Sequence, residues 1–311
     1  MHPHSHSHAH HHAHGSDARS ARLSRAFAIG IALNFAFVIA EVTLGVMANS
    51  LALVADAMHN LSDVVALVLA WGASALALRP PSARFTYGFR GSTILAALAN
   101  AMLLLVVSGG IAWEALHRVS SPGLVNERLM MWVSIAGILI NGVTAWFFMA
   151  DRKSDLNVRG AFLHMAADAV ISLGVAIAGA GILLTGWRWL DPAVSLAIVA
   201  TIFVGTWGLL RDSVKLALHA APASIDPVDV RRYLCALPGV AEVHDLHIWG
   251  MSTTEIALTA HLVMPQGHPG DDFIGRTVHD IEHRFHIGHV TLQIETGNSA
   301  NPCALAPDHV V

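Results

Sequence analysis

The chain has 311 residues, 54% of them hydrophobic and only 13% charged, with a mean hydropathy of +0.54. A soluble domain carries about 25% charged residues, so much of this surface must face something other than water. A net charge of −4 gives no nucleic-acid signature, and two cysteines, Cys235 and Cys303, are too few for a disulfide framework.

Histidine is the outlier, with 21 residues, and eight of these fall in the opening MHPHSHSHAHHHAH: His2, His4, His6, His8, His10, His11, His12 and His14. Residues 1–20 read as a disordered polar tail. They lack the apolar run of a signal peptide.

Six apolar segments follow, near 25–47, 51–78, 91–116, 129–150, 155–186 and 190–211. Each is long enough for roughly 30 Å of hydrocarbon, which takes about 20 helical residues. Turn and charge signals separate them: GVMANS, RPPSARFTYGFR, RVSSPGLVNE, DRKSD and TGWRWLDP. Arg19, Arg22 and Arg25 precede the first segment. Arg79, Arg84 and Arg90, then Arg152, Lys153 and Arg159, then Arg211 and Lys215 fall on the same side. The opposite connections hold only Arg118, Arg128 and Arg188. The positive-inside rule therefore puts both termini in the cytoplasm.

From about residue 212 the character changes. DPVDVRRYLCA (226–236) reads as a short helix, and VAEVHDLHIW (240–249) and TEIALTAHLVM (254–264) alternate like half-buried strands. DDFIGRTVHDIEHRF (271–285) is amphipathic, and HVTLQIE (289–295) alternates again. This α-β-β-α-β order predicts a small α+β domain with helices on one face of a sheet. The expected organisation is a tail (1–20), an all-α six-helix transmembrane bundle (21–211) and a cytoplasmic domain (212–311).

Inside the apolar segments lie Glu41, Asp56, Asp63 and Asp168, with His59 and His164. An ionised group near the bilayer centre costs about 2.5–3.5 kcal/mol on insertion scales, so such groups mark function by default. His59 and Asp63 are four residues apart and share one helix face, and His164 and Asp168 repeat the spacing. At about 1.5 Å per residue, Asp63 sits roughly 18 Å from the outer end of its segment and His164 roughly 14 Å from the inner end of its own. Both are near the midplane, so the two pairs can meet. Two imidazole nitrogens and two carboxylates form a tetrahedral set suited to a zinc-sized cation, and the two aspartates neutralise its charge. Without metal the same groups take up protons, so metal and protons compete. Interhelical hydrogen bonding is the plainer use of polar membrane residues, but two matched pairs at matched depth argue for the cation. Asp56, one turn before His59, either orients a ligand or belongs to a gate. Asn60 supports the site or packs, and Glu41 carries protons or caps a polar contact.

The stretches NSLALVADAMHNLSD, FTYGFR, LNVRGAFLHMAADAVISLGV, DPAVSLAI, VHDLHIW and TLQIE resemble the cation diffusion facilitators, divalent-metal/proton antiporters, and most nearly their zinc-transporter branch. The resemblance implies a homodimer with six helices per protomer, a ferredoxin-like cytoplasmic domain and transport by alternating access. It carries His59, Asp63, His164 and Asp168 over as the transport site, with histidine at the first position favouring zinc over cadmium. It also implies metal binding in the cytoplasmic domain: His244 and His261 match two ligand positions, Glu295 an acidic one, and Cys303 lies in a tail where relatives place a cysteine. Gln293 stands where some members have histidine, and His247, His283 and His289 are nearby extras. Each of these residues alone fits a solvated or structural role as well as ligation. Two departures stand out. RPPSARFTYGFR has no His, Asp or Glu, so no metal is expected there, and the fourth-to-fifth connection lacks a histidine-rich loop. The N-terminal histidines can replace that loop as a collector, since neutral imidazoles bind zinc, copper and nickel; the plain alternative is a solubilising tail.

The expectation is a Zn2+/H+ antiporter in a bacterial inner membrane, with zinc as cargo and regulatory ion and protons as counter-substrate. Export of cobalt, cadmium, nickel or manganese, or a membrane-anchored metal sensor, are the alternatives. A metallohydrolase is disfavoured, since all four ligand slots are filled and no His-Glu-x-x-His base is present.

Overall fold

The computed structural model describes residues 35–149, 156–298 and 303–307. The N-terminal histidines and the DRKSD connection lie outside them. The elements are α1 (Phe35–Ala48), then α2 (Leu51–Ala77), α3 (Ser92–Ser120), α4 (Glu127–Met149), α5 (Leu156–Thr185), α6 (Leu190–Ala217), α7 (Pro227–Cys235), β1 (Glu242–Gly250), β2 (Ile256–Val263), α8 (Asp271–Phe285) and β3 (His289–Glu295). The order is that expected. α3 and α6 run past residues 116 and 211, and the described part of the first apolar segment is the shorter helix α1.

Among the described residues five helices, α2 to α6, are long and apolar enough to cross a membrane. Their outward faces carry bare apolar side chains such as Trp71 (76% exposed) and Val106 (72%). Such faces are stable against lipid, which also forces every backbone polar group into a helix.

The chain divides into two compact units, Met1–Val64 with Val106–Ile202 and Val65–Leu105 with Phe203–Val311. In the first, α1 turns into α2 through Asn49, whose φ of 52° is the left-handed conformation that closes a helix. Its N–H reaches the Val46 carbonyl, and that of Ser50 reaches Gly45. A Cβ on Gly45 would sit 3.1 Å from the Leu53 Cβ, so glycine lets the two helices approach. The start of α2 is capped from a distance. Buried Asp191, in the first turn of α6, accepts from Ser50 Oγ (2.5 Å), Leu51 N (2.9 Å) and Ala52 N (3.2 Å). A carboxylate there satisfies orphan N–H donors and meets the positive helix end. α4 and α5 pack closely: a Cβ on Gly179 would lie 3.3 Å from the Glu127 carbonyl and the Met131 nitrogen.

In the second unit, the strands form one sheet in the order β1-β2-β3. β1 and β2 are antiparallel and β2 and β3 parallel. The parallel pairing needs a crossover, which α8 provides. Val230 and Leu234 of α7 and Ile281 of α8 share a core with Val243, Ile248, Leu258, Ala260 and Leu262. The helices therefore cover one sheet face. Strand side chains alternate between faces, so His244, His261, Gln293 and Glu295, each next to a core-packed residue, belong to the other. The α2–α3 connection meets the β1–β2 turn, with Arg90 Nη1 2.6 Å from Glu255 Oε1 and Thr253 N donating to Thr93 Oγ1 (3.1 Å).

Candidate metal centres

The first candidate site joins α2 to α5. His59 and Asp63 lie one turn apart on α2, and His164 and Asp168 do the same on α5. His59 Nε2 is 3.7 Å from Asp168 Oδ1, and His164 Nε2 is 3.4 Å from Asp63 Oδ2 and 3.6 Å from Asp168 Oδ2. The two imidazoles are 6.3 Å apart, edge to face. The four side chains thus adjoin in the order His59, Asp168, His164, Asp63. Both oxygens of Asp168 and Oδ2 of Asp63 are buried without a hydrogen-bond partner. A buried carboxylate with no donor is costly, and a divalent cation among these groups removes that cost.

Asp56 and Glu41 do not join the four. Asp56, fully buried, accepts from Ser172 Oγ (2.9 Å), one turn beyond Asp168 on α5. Buried Glu41 accepts from Asn60 Nδ2 (3.3 Å). Both make polar crosslinks that hold α2 against its neighbours, one turn from the ligating face. Ser172 escaped the sequence reading. Its spacing of four from Asp168 was the available signal, but a serine in a membrane helix is commonplace. Asn141, fully buried on α4 with no partner for its side-chain amide, was missed as well.

The second candidate site lies on the open sheet face. His244 and His261 are directly paired across β1 and β2, with rings 5.2 Å apart. Parallel pairing puts Glu295 opposite Val263, two residues along from His261. Glu295 Oε1 is 2.9 Å from His261 Nδ1, Oε2 is 3.4 Å from His244 Nε2, and Cys303 Sγ is 3.6 Å from His261 Nδ1. Ligating atoms of all four lie within 4.8 Å of one another. His244 is only 3% exposed, and neither ring nitrogen has a hydrogen-bond partner. Two nitrogens, a carboxylate and a sulfur suit zinc, and with the thiol ionised they neutralise a divalent ion. Burial opposes the charge on Glu295, but hydrogen bonds from Gln293 and Cys303 and the nearby imidazoles outweigh it and hold its carboxyl below the ordinary carboxylate range.

The other histidines take separate partners. His247 bonds Asp245 (2.8 Å), His283 meets His279 edge to face with ring centres 4.3 Å apart, and His289 meets Tyr87 in the same way at 5.5 Å. Asp245 went unnoticed in the sequence, yet its other oxygen is 3.2 Å from His261 Nε2.

Models of two protein families match the chain, the cation efflux transmembrane domain over residues 27–216 and the cation efflux protein cytoplasmic domain over 222–297. The chain belongs to the cation diffusion facilitator family. Members similar to it include the metal cation efflux system protein CzcD of Cupriavidus metallidurans, 38% identical over 91% of this chain and 88% of that one. The zinc transporter ZitB of Escherichia coli is 36% identical over 90% and 88%. The cadmium, cobalt and zinc/H(+)-K(+) antiporter of Bacillus subtilis is 34% identical over 84% and 85%. As a cation diffusion facilitator, the chain is an integral membrane transporter for efflux of divalent metal cations.

Proposed function

We propose that the protein exports Zn2+ from the cytoplasm in exchange for protons, holding the ion between α2 and α5 on His59, Asp63, His164 and Asp168. The observation that carries this reading is the convergence of the two His-x-x-x-Asp pairs around buried, partnerless carboxylate oxygens. Facing the cytoplasm, the deprotonated ligands take the ion. After the helices rock, protons from a more acidic exterior displace it, because imidazole and carboxylate cannot hold metal and proton together. A site between helices near the midplane suits such a carrier. Glu41, Asp56 and Asn60 form the polar path beside it.

Zinc as cargo is supported by the nitrogen-oxygen donor set and by the names of relatives, which include zinc. Those names also include cadmium and cobalt, so a broader divalent range is the second reading. In this account residues 1–20 collect metal, 21–211 carry it and 212–311 sense it. The protein works as a homodimer in a bacterial inner membrane with both termini cytoplasmic. Zinc at His244, His261, Glu295 and Cys303 tightens the dimer.

Zinc uptake into proteoliposomes tests the exchange. A pH gradient alone should drive zinc against its own gradient, and uptake that only ever runs downhill would refute antiport. Replacing the proton gradient with a potassium gradient separates the two counter-ions.

A further inference from the structure

Asp245 has a left-handed backbone, φ 49°, in the middle of a strand. Outside glycine and a few turn positions that conformation is disfavoured by contact between Cβ and the backbone. The cause is a bulge: His244 pairs with His261 but His247 with Thr259, so three steps along β1 face two along β2. The extra residue resets the alternation, which lets Val243 and Ile248, five apart, both enter the core. It also swings the Asp245 carboxylate between two imidazoles, with Oδ1 2.8 Å from His247 Nε2 and Oδ2 3.2 Å from His261 Nε2.

Glu295 Oε1 lies closer still to the other nitrogen, Nδ1, so the ring stands between two carboxylates. When a metal ion takes Nδ1, the one proton of the neutral imidazole is on Nε2, where the Asp245 carboxylate can accept it. Nδ1 is the atom that faces Glu295 Oε1 at 2.9 Å and Cys303 Sγ at 3.6 Å. The bulge therefore puts a carboxylate behind the ring that joins the cluster, at the nitrogen that a metal on Nδ1 leaves free. Strain retained in a strand at such a place points to a function beyond strand pairing.

We propose that Asp245 is a positioning residue for the cytoplasmic metal site, holding His261 as an Nδ1 ligand. This rests on the reading of His244, His261, Glu295 and Cys303 as a metal site. Carboxylates that grip the far nitrogen of a ligating histidine orient it and raise its basicity, and losing one typically weakens metal binding about 10–100-fold.

The test uses the full-length protein in detergent with Co2+ as the probe. Bound cobalt gives a thiolate charge-transfer band that reports the Cys303 site alone, and Cys303→Ser serves as its control. Displacing the cobalt with buffered zinc gives the zinc affinity. Asp245→Asn can turn its amide to donate to Nε2 and so reverse the tautomer. Asp245→Gly removes the carboxylate but suits the left-handed backbone. Both variants should bind zinc about 10–100-fold more weakly, while metal-free Asp245→Gly melts no lower than the parent. Zinc affinity within twofold of the parent in both variants, with a band that Cys303→Ser abolishes, would overturn the positioning role and leave the metal site standing. Weaker zinc binding matched by an equal loss of metal-free stability in both variants would reduce Asp245 to a structural tie, also against the proposal. A parent protein without a Cys303-dependent band would remove the metal site, and the inference with it.

Discussion

The two clusters of metal-ligating side chains are built differently. The intramembrane four stand on two helices, their imidazole–carboxylate contacts run from 3.4 to 3.7 Å, and both oxygens of Asp168 and Oδ2 of Asp63 lack donors. Of the cytoplasmic four, His244, His261 and Glu295 stand on adjacent strands and Cys303 lies beyond β3; contacts reach 2.9 Å, and the Asp245 carboxylate is 3.2 Å from the far nitrogen of His261. Strand pairing fixes side chains relative to one another, whereas helices that rock can open and close a site. A cargo site must release what it binds, and a resident site need not. The contrast suits transport between the helices and sensing on the sheet.

The sharpest way to break that contrast is to remove one intramembrane ligand. Asp63→Ala or His164→Ala should lower zinc affinity by more than about 100-fold, beyond the range for outer partners, and abolish uptake into proteoliposomes. Unchanged uptake in both would refute the site. Cys303→Ser should instead abolish the cytoplasmic cobalt band while uptake continues. Loss of all uptake there would mean that the two sites are not separable.

A smaller effect concerns the crosslink behind the proposed cargo site. Ser172→Ala strands a buried Asp56 oxygen and should cost about 1–3 kcal/mol, read as a lower melting temperature in detergent. The smallest is a pH effect. Because the Glu295 carboxyl is held below the ordinary carboxylate range, its charge and the stability tied to it persist above that range and are lost only as pH falls through the lowered value. Zinc binding on the sheet should weaken as pH falls from 8 to 6, since ligands must shed protons. The penalty of Glu295→Gln should nevertheless be equal at both ends. A penalty that vanishes at pH 6 would mean that Glu295 is already protonated there.

The helical candidate was legible in the chain because a spacing of four residues maps directly onto a helix face, which puts His59 with Asp63 and His164 with Asp168. The sheet site was readable in part. The alternation Leu258, Ala260, Leu262 assigns His261 to the uncovered face, but pairing of His244 with His261 depends on register, which no local pattern states. The bulge at Asp245 had no glycine to announce it. Asp191 gave no local sign that it caps a helix 140 residues earlier in the chain, and Ser172 looked like any small polar residue in a span. Each of these was set by tertiary contact, where local preference is silent. The N-terminal histidines lie outside the described residues.

Anomalous scattering at the zinc edge from crystals of the zinc-loaded protein tests the central claim most directly. A peak is expected between α2 and α5, about 2.0–2.2 Å from an atom of each of His59, Asp63, His164 and Asp168. A loaded, transporting protein with no peak there, or with the ion held by Glu41 and Asp56 instead, would contradict it.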